Sequence, residues 1–428
     1  MRNSVVIFCL FLLFGCNRYA IRYAVPADIQ LTTGLEPPTK KELKQSDHYI
    51  PDERYIEATP VRYIRVNFHI MQKSDGSGTF NEAQGIEYCH ELVDRVNYRY
   101  SNNLPMNLPA GNTTPVLPTR VRIVLTTDAT TGKDAIYFHR DDSLCYFIKN
   151  LKKGPFSLTD KGIFDKYARG NDSIINIFLL EHFPDSLASP TYGTMSNGIS
   201  YGNNIKLAGS YYNRYTDFPG ENGTTFNKGA DFYAKLVCHE IGHSLGINHT
   251  WNWDDGCEDT PKNDGCWSAT GVPPCDGLTT NNVMDYNWSQ QAFTPCQLGR
   301  MHYNLSSNSQ RNWCIPYWCE YHPDSKVTIR RGEEIIWYDI KDLWGDIEIK
   351  ENATLTVLNI VSLPAEAKII IKPGAKLILN GGTITNRCGD KFNGIEIWSD
   401  RKTNETGSIL IMNKGVIENT VNVVMSDE

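Results

Sequence analysis

The sequence predicts two folds in series: an α/β (α+β) domain in which a twisted sheet is backed by helices, then an all-β solenoid. Three observations carry this. An alternating apolar stretch is followed by an amphipathic helix, a later helix carries a spaced histidine pattern, and the chain after about residue 322 repeats itself.

Ile64, Val66, Phe68 and Ile70 alternate with polar residues, the period-two pattern of a half-buried strand. Asn81 is placed to cap the helix that follows. There Ile86, Cys89, Val93, Val96 and Tyr100 recur at three- and four-residue spacing, giving one apolar face to lay on a sheet. Further strands are expected at 121–125 and 174–180. Beyond 322, Ile347, Ile349, Lys350, Ala353, Leu355 and Val357 align with Ile369, Ile371, Lys372, Ala375, Leu377 and Leu379, a period of 22 residues. Val327, Ile329, Arg330, Ile335 and Trp337 form a looser copy. Such a period is the mark of a solenoid, whose coils bury their apolar faces against one another. An ordinary β-sandwich with two similar hairpins is the less favoured alternative. Residues 395–398 and 409–417 read as further coils, and Val421, Val423 and Val424 show no polar cap, so a covering segment or a frayed end is expected.

A chain of 428 residues with 21% charged residues and a net charge of -7 is globular, and its acidity argues against nucleic-acid or anionic-membrane partners. The apolar run 5–14 after Arg2 is too short to span a bilayer and reads as a signal peptide. It ends in Leu13-Phe14-Gly15-Cys16, which resembles a bacterial lipobox, so Cys16 is the expected lipidation site and residues 1–16 a lipoprotein-type signal. Asn17 suggests sorting to the envelope of a Gram-negative bacterium, as an outer-membrane lipoprotein, and plain secretion is the alternative. Residues 17–58, with Pro26, Pro37, Pro38 and Pro51, read as a tether or short pro-segment. Export allows disulfides, and Cys257, Cys266, Cys275, Cys296, Cys314 and Cys319 crowd together without CxxC spacing, so bridges stapling long loops are expected.

The chemistry concentrates in His239-Glu240-Ile241-Gly242-His243-Ser244-Leu245-Gly246-Ile247-Asn248-His249. Four residues turn a helix through about 400°, so His239 and His243 share a face and can reach one ion. Glu240 stands beside them, able to hold a metal-bound water without being a ligand. His249 lies roughly 15 Å too far if the helix continues. The chain must turn, and Gly246 can turn it because glycine enters the left-handed conformation freely. Three protein ligands leave one position open, as a catalytic zinc requires. In this composition such a pattern arises by accident with a chance on the order of 10⁻⁵.

HExxHxxGxxH resembles the metzincin zinc endopeptidases, whose second mark is a methionine-containing turn, and Asn282-Val283-Met284-Asp285-Tyr286 looks like that turn. His249-Thr250-Trp251, Asp259-Thr260-Pro261, Phe293-Thr294-Pro295 and Arg300-Met301 are similar to the pappalysin family, which includes ulilysin-like bacterial enzymes. The specific motifs span residues 239–301 and the compatible domain about 59–322, with the solenoid at 323–428 outside it. The resemblance implies a zinc cofactor, an apolar floor from Met284 under the imidazoles, and oxyanion stabilisation by Tyr286. It also implies calcium near the acidic loop of Asp254, Asp255, Glu258 and Asp259, with Asp254 and Asp259 the candidate ligands and a solvated loop the equal alternative. Cys296 stands where the family usually has glycine, so the family's disulfide pairing is not carried over. His69 and His302 lack ligand spacing and are expected to be structural.

The expected function is hydrolysis of protein or peptide substrates by a zinc-activated water, with Glu240 as general base. The alternative is an envelope-attached binding or adhesion protein with a vestigial peptidase. Contact with a membrane is expected through the lipid anchor only.

Overall fold

The computed structural model describes residues 18–148, 158–194, 197–215, 218–219, 225–226, 229–250, 255–260, 266, 275, 277–287 and 289–422. The expected signal peptide with Cys16, the candidate ligand Asp254, Trp251, Pro261, Val423 and Val424 lie outside these residues.

Two short strands, β1 (Tyr19–Tyr23) and β2 (Ile29–Leu31), precede the first domain. That domain contains β3 (Arg62–Gln72), α1 (Glu82–Ser101), β4 (Val121–Leu125), β5 (Ile136–Arg140), β6 (Tyr146–Phe147), α2 (Leu158–Tyr167), β7 (Ile175–His182), α3 (Pro184–Leu187), β8 (Gly198–Tyr201) and β9 (Asn204–Ala208). It continues with the pair β10 (Phe218–Pro219) and β11 (Thr225–Phe226), then α4 (Ala230–Ser244) and α5 (Pro295–Ser307). The main sheet runs β4-β3-β7-β9-β8, with β5 also on β3 and β6 also on β7. Every pairing in it is parallel except β8 on β9, so the one antiparallel strand is an edge.

Both faces of this sheet are covered, as parallel strands require. Ile64, Phe68, Ile70, Ile177 and Leu207 pack with Leu92 and Val96 of α1 and Val237 and Ile241 of α4. Met71, Phe178 and Leu180 meet Ile163 and Phe164 of α2 on the other face. Asn81 caps α1 as its side chain accepts from Gln84 N, and Gln84 reaches back to complete a capping box. The buried face of α1 is Tyr88, Cys89, Leu92, Val96 and Tyr100, whereas Ile86 is 38% exposed. The spacing rule admitted Ile86, but the actual stripe runs through the polar-headed Tyr88 instead.

The remainder is built from β12 (Val327–Ile329), β13 (Glu334–Trp337), β14 (Lys341–Asp342), β15 (Ile347–Ile349), β16 (Thr354–Val357), β17 (Ile360–Ser362), β18 (Ile369–Ile371), β19 (Lys376–Asn380), β20 (Thr383–Thr385), β21 (Ile395–Asp400), β22 (Ser408–Met412) and β23 (Val416–Ile417). They sort into three parallel ladders, β12-β15-β18-β21, β13-β16-β19-β22 and β14-β17-β20-β23, each taking every third strand. The repeat is visible in the register: Val327 pairs Ile347 and Ile347 pairs Ile369, while Trp337 pairs Val357 and Val357 pairs Leu379. Their side chains fill one apolar core.

The segment expected to be a tether is part of this core. β1 pairs antiparallel with β21, β2 pairs parallel with β22, Ala24 is buried, and Tyr55 and Ala58 pack with Val327 and Trp337. Two strands of the last coil, β21 and β22, are thus covered by the N-terminal stretch, while β23 remains the outer strand of its ladder among the described residues. Sequence periodicity missed this cover because strands of three and five residues are too short to show a pattern.

The two regions meet at Asp342, a fully buried carboxylate. Arg62 donates to it at 2.9 Å and also to Ser306 Oγ at 2.9 Å, Arg311 donates at 3.0 Å, and Arg387 lies 3.7 Å away. Arg62 and Arg311 stack on Trp318. Cys319–Cys388 crosses the same junction. Burial alone would raise the Asp342 carboxyl, but the three guanidinium charges outweigh it and hold it below the usual carboxylate range.

Asp342→Ala would leave Arg62 buried without its partner and should cost about 3–5 kcal/mol in denaturant unfolding of the full chain. The depressed carboxyl contributes stability that is complete above its unfolded value of about 4 and is lost as pH falls through the folded value. Wild type should therefore lose stability below about pH 4 more steeply than the variant. A chain cut at residue 322 loses Asp342 and Cys388 together and should unfold more readily than the full chain.

Candidate active site

α4 carries the first two histidines and ends where the sequence requires. Gly246 adopts φ +79°, Gly246 N donates to His243 O, and Ile247 N donates to Gly242 O, the paired bonds of a Schellman turn. Asn304 of α5 donates to the remaining Leu245 carbonyl at 2.7 Å. The reversal brings His249 back over the helix.

The three imidazoles then converge through one atom each. The Nε2 separations are 3.1 Å for His239–His243, 3.0 Å for His243–His249 and 3.2 Å for His239–His249. His239 Nδ1–H donates to Val283 O at 2.7 Å and His243 Nδ1–H to Ile247 O at 2.8 Å. With Nδ1 protonated, both Nε2 atoms are lone pairs aimed at one point, and they cannot bond to each other. Nitrogens bound at 2.0–2.1 Å in a tetrahedral site would stand about 3.3 Å apart. The geometry and the donor chemistry both fit a single zinc-class cation, and this cluster can hold a metal.

Met284 is fully buried beneath the helix. A Cβ on Gly242 would fall 2.3 Å from its sulfur, so the glycine within the histidine motif is what admits the thioether. Asn282 shapes the turn, accepting from Met284 N at 2.8 Å and donating to Gln297 Oε1 at 2.9 Å. Tyr286 stands at the mouth, edge-on to His249 at 4.9 Å between ring centroids.

Glu240 is buried next to His239. Burial pushes its carboxyl up to about 8, and the Ser200 hydroxyl and N–H act in the opposite direction.

Other expectations fare differently. Asp259 Oδ1 accepts from Thr294 Oγ1 and Oδ2 from Cys296 N, so both oxygens serve the start of α5. Asp255 is buried and accepts from Cys257 N and Thr260 Oγ1. Glu258 is exposed. The cluster of Cys257, Asp259 and Cys296 has its two sulfurs joined in a disulfide, which removes them as ligands. Cys266–Cys275 is the second staple, whereas Cys314 is a free, buried thiol and Cys319 pairs outside the cluster. His69 bonds Asn176 and His139, and His302 donates to Thr119 O, so both are structural as expected.

Sequence reasoning missed Gln290. Its Nε2 donates to Val283 O at 3.1 Å and Asp285 O at 2.7 Å, clamping the turn whose Val283 carbonyl also fixes the His239 tautomer. No motif marks a lone glutamine, and only the fold reveals it. Gln290→Ala should weaken zinc retention by about 10- to 100-fold, the usual effect of losing an outer partner of a metal ligand, as read by competition with a chromogenic chelator. Unchanged affinity would show that Val283 is held without it.

Residues 167–306 match the Peptidase_M43 family, described as "Pregnancy-associated plasma protein-A". An extracellular metalloprotease of Arthroderma gypseum is 28% identical over 157 residues, covering 33% of this chain and 51% of that protein. The extracellular metalloprotease of Arthroderma benhamiae is 29% identical over 145 residues, covering 31% of this chain and 51% of that protein. The chain thus spans about half the length of the curated relatives it matches. Among solved structures, mature mirolysin of Tannerella forsythia with a cleaved peptide aligns at a TM-score of 0.40 and 17% identity, over 60% of this chain and 96% of that one. Residues 167–306 are accordingly the part of the chain that is similar to the Peptidase_M43 family and to these extracellular metalloproteases.

Proposed function

We propose that the protein is a zinc-dependent endopeptidase that hydrolyses peptide bonds in protein or peptide substrates. The convergence of three Nε2 lone pairs beside a buried glutamate carries this reading. A zinc bound there would polarise the scissile carbonyl and acidify a water. His239, His243 and His249 would be its ligands. Glu240 would accept the water proton and deliver it to the leaving amine, as the new C–O bond forms and the C–N bond breaks. Tyr286, at the mouth of the site, would donate to the oxyanion that develops on the carbonyl oxygen. Met284 would supply the apolar floor. An extended peptide has a strand edge to add to at β8, the end of the main sheet.

We read residues 59–322 as a metzincin-type peptidase domain and 323–428 as a β-solenoid that serves attachment or positioning. Three parallel ladders in register support the solenoid, and its buried junction with the peptidase supports a fixed rather than tethered arrangement. Calcium gains no support, since Asp259 is spent on α5. Export through a signal peptide is in keeping with relatives named extracellular, and lipidation at Cys16 rests on the lipobox-like sequence before it. An intact base beside the triad disfavours the vestigial-peptidase reading.

Glu240→Ala should abolish cleavage of short peptides while one zinc per chain remains bound, and a chelator should abolish cleavage by wild type. Cleavage by metal-free protein would refute the mechanism. Tyr286→Phe should lower kcat by about 10- to 1,000-fold with zinc retained; a change confined to KM would assign it to substrate binding instead. Cys16→Ser should move the protein from the membrane to the soluble fraction, and a wild type already soluble would rule out the anchor.

A further inference from the structure

β1 runs antiparallel along β21 and is the end strand of its sheet. Ile395 and Ile397 of β21 are buried in the core of the ladders, so Glu396 and Trp398, which alternate with them, point outward. Ile21 stands opposite Trp398 and Tyr23 opposite Glu396, and residues directly opposite in a pair share a face. Tyr19, Ile21 and Tyr23 therefore lie on the outer face with Trp398. Ile21 is 53% exposed and Tyr23 41%, and the rings of Tyr19 and Trp398 stand 5.7 Å apart. The carboxylates of this face are matched by cations, since Arg18 meets Asp400 and Lys368 meets Glu396, each at 2.7 Å. Two tyrosines, a tryptophan and an isoleucine on a face of little net charge suit the boundary between lipid and water, where amphipathic rings sit at the level of the headgroups.

Covalent geometry says which surface would meet this face. Acyl chains on Cys16 would lie in hydrocarbon and hold that residue at its edge. Arg18 is two residues further on, and a chain gains no more than about 3.6 Å per residue, so it stands within roughly 7 Å of Cys16 whatever the conformation between them. The headgroup layer is itself roughly 5–8 Å deep. No length of tether remains beyond it, because the Arg18 carbonyl already accepts from Arg401 N at 3.0 Å and β1 begins at Tyr19.

We infer that the outer face of β1 and β21, presenting Tyr19, Ile21, Tyr23 and Trp398, docks in the headgroup layer of the neutral phospholipid surface that holds the Cys16 lipid. The inference rests on the reading of Cys16 as lipidated, and it extends membrane contact beyond the anchor. A point anchor leaves the body free to tilt, whereas a second contact along a strand fixes its orientation on the membrane.

The test uses the full-length, zinc-loaded chain in lipidated form, reconstituted in vesicles of phosphatidylcholine and phosphatidylethanolamine. Mass spectrometry of the N-terminal peptide first reads the state of Cys16. A nitroxide label is introduced through Ile21→Cys or Tyr23→Cys, and through Ile336→Cys as reference, because Ile336 is 50% exposed on β13 in the first coil, at the other end of the stack. The free cysteines Cys89, Cys145, Cys238 and Cys314 are buried and stay unlabelled. On vesicles, the labels at Ile21 and Tyr23 should collide several-fold less often with a water-soluble nickel chelate than they do on the unlipidated Cys16→Ser chain in buffer, while the label at Ile336 is unchanged. If Cys16 carries lipid and the labels at Ile21 and Tyr23 stay as open to the chelate as the one at Ile336, the docking face is overturned and the anchor stands. An unmodified Cys16 would instead sink the anchor reading and this inference with it.

Discussion

Three imidazole Nε2 atoms stand within 3.2 Å of one another, two of them lone pairs because their Nδ1–H groups donate to carbonyls, and a cation between them would relieve their mutual repulsion. The Schellman turn at Gly246 returns His249 to the helix, and the Ile247 carbonyl that this turn presents fixes His243. On the opposite side, the turn around Met284 presents the Val283 carbonyl to His239. A cation bound there would offset the repulsion and tie the turns together, so metal binding would couple to local folding.

The second constraint is Asp342. One carboxylate facing three guanidinium groups, two of them stacked on Trp318, joins the first domain to the parallel β region. The N-terminal segment reinforces that. It lies along β21 and β22, places Tyr49 where its hydroxyl accepts from Ile340 N, and enters the main sheet as β3. A chain that reads as tether, enzyme and appendage therefore folds as an interlocked whole.

What could be read from the sequence followed from periodicity and fixed spacing. The strand of Ile64 to Ile70, the Asn81 cap, the turn at Gly246 and the 22-residue register are all local or repeating, and the structure places each as expected, except that the strand is buried on both faces rather than half-buried, because it lies inside a parallel sheet. What escaped was non-local. Pairing of Cys319 with Cys388, the use of Asp259 as a cap, the role of Gln290, and β1 and β2 as the cover of β21 and β22 all depend on parts of the chain far apart in sequence. No composition or spacing rule reports such contacts.

X-ray absorption at the zinc edge of the protein as purified bears most directly on the central claim. One zinc per chain, surrounded by three imidazole nitrogens and one further light atom at about 2.0–2.1 Å, is the expected result. Protein that retains no zinc, or a zinc whose nearest neighbours include sulfur, would contradict it.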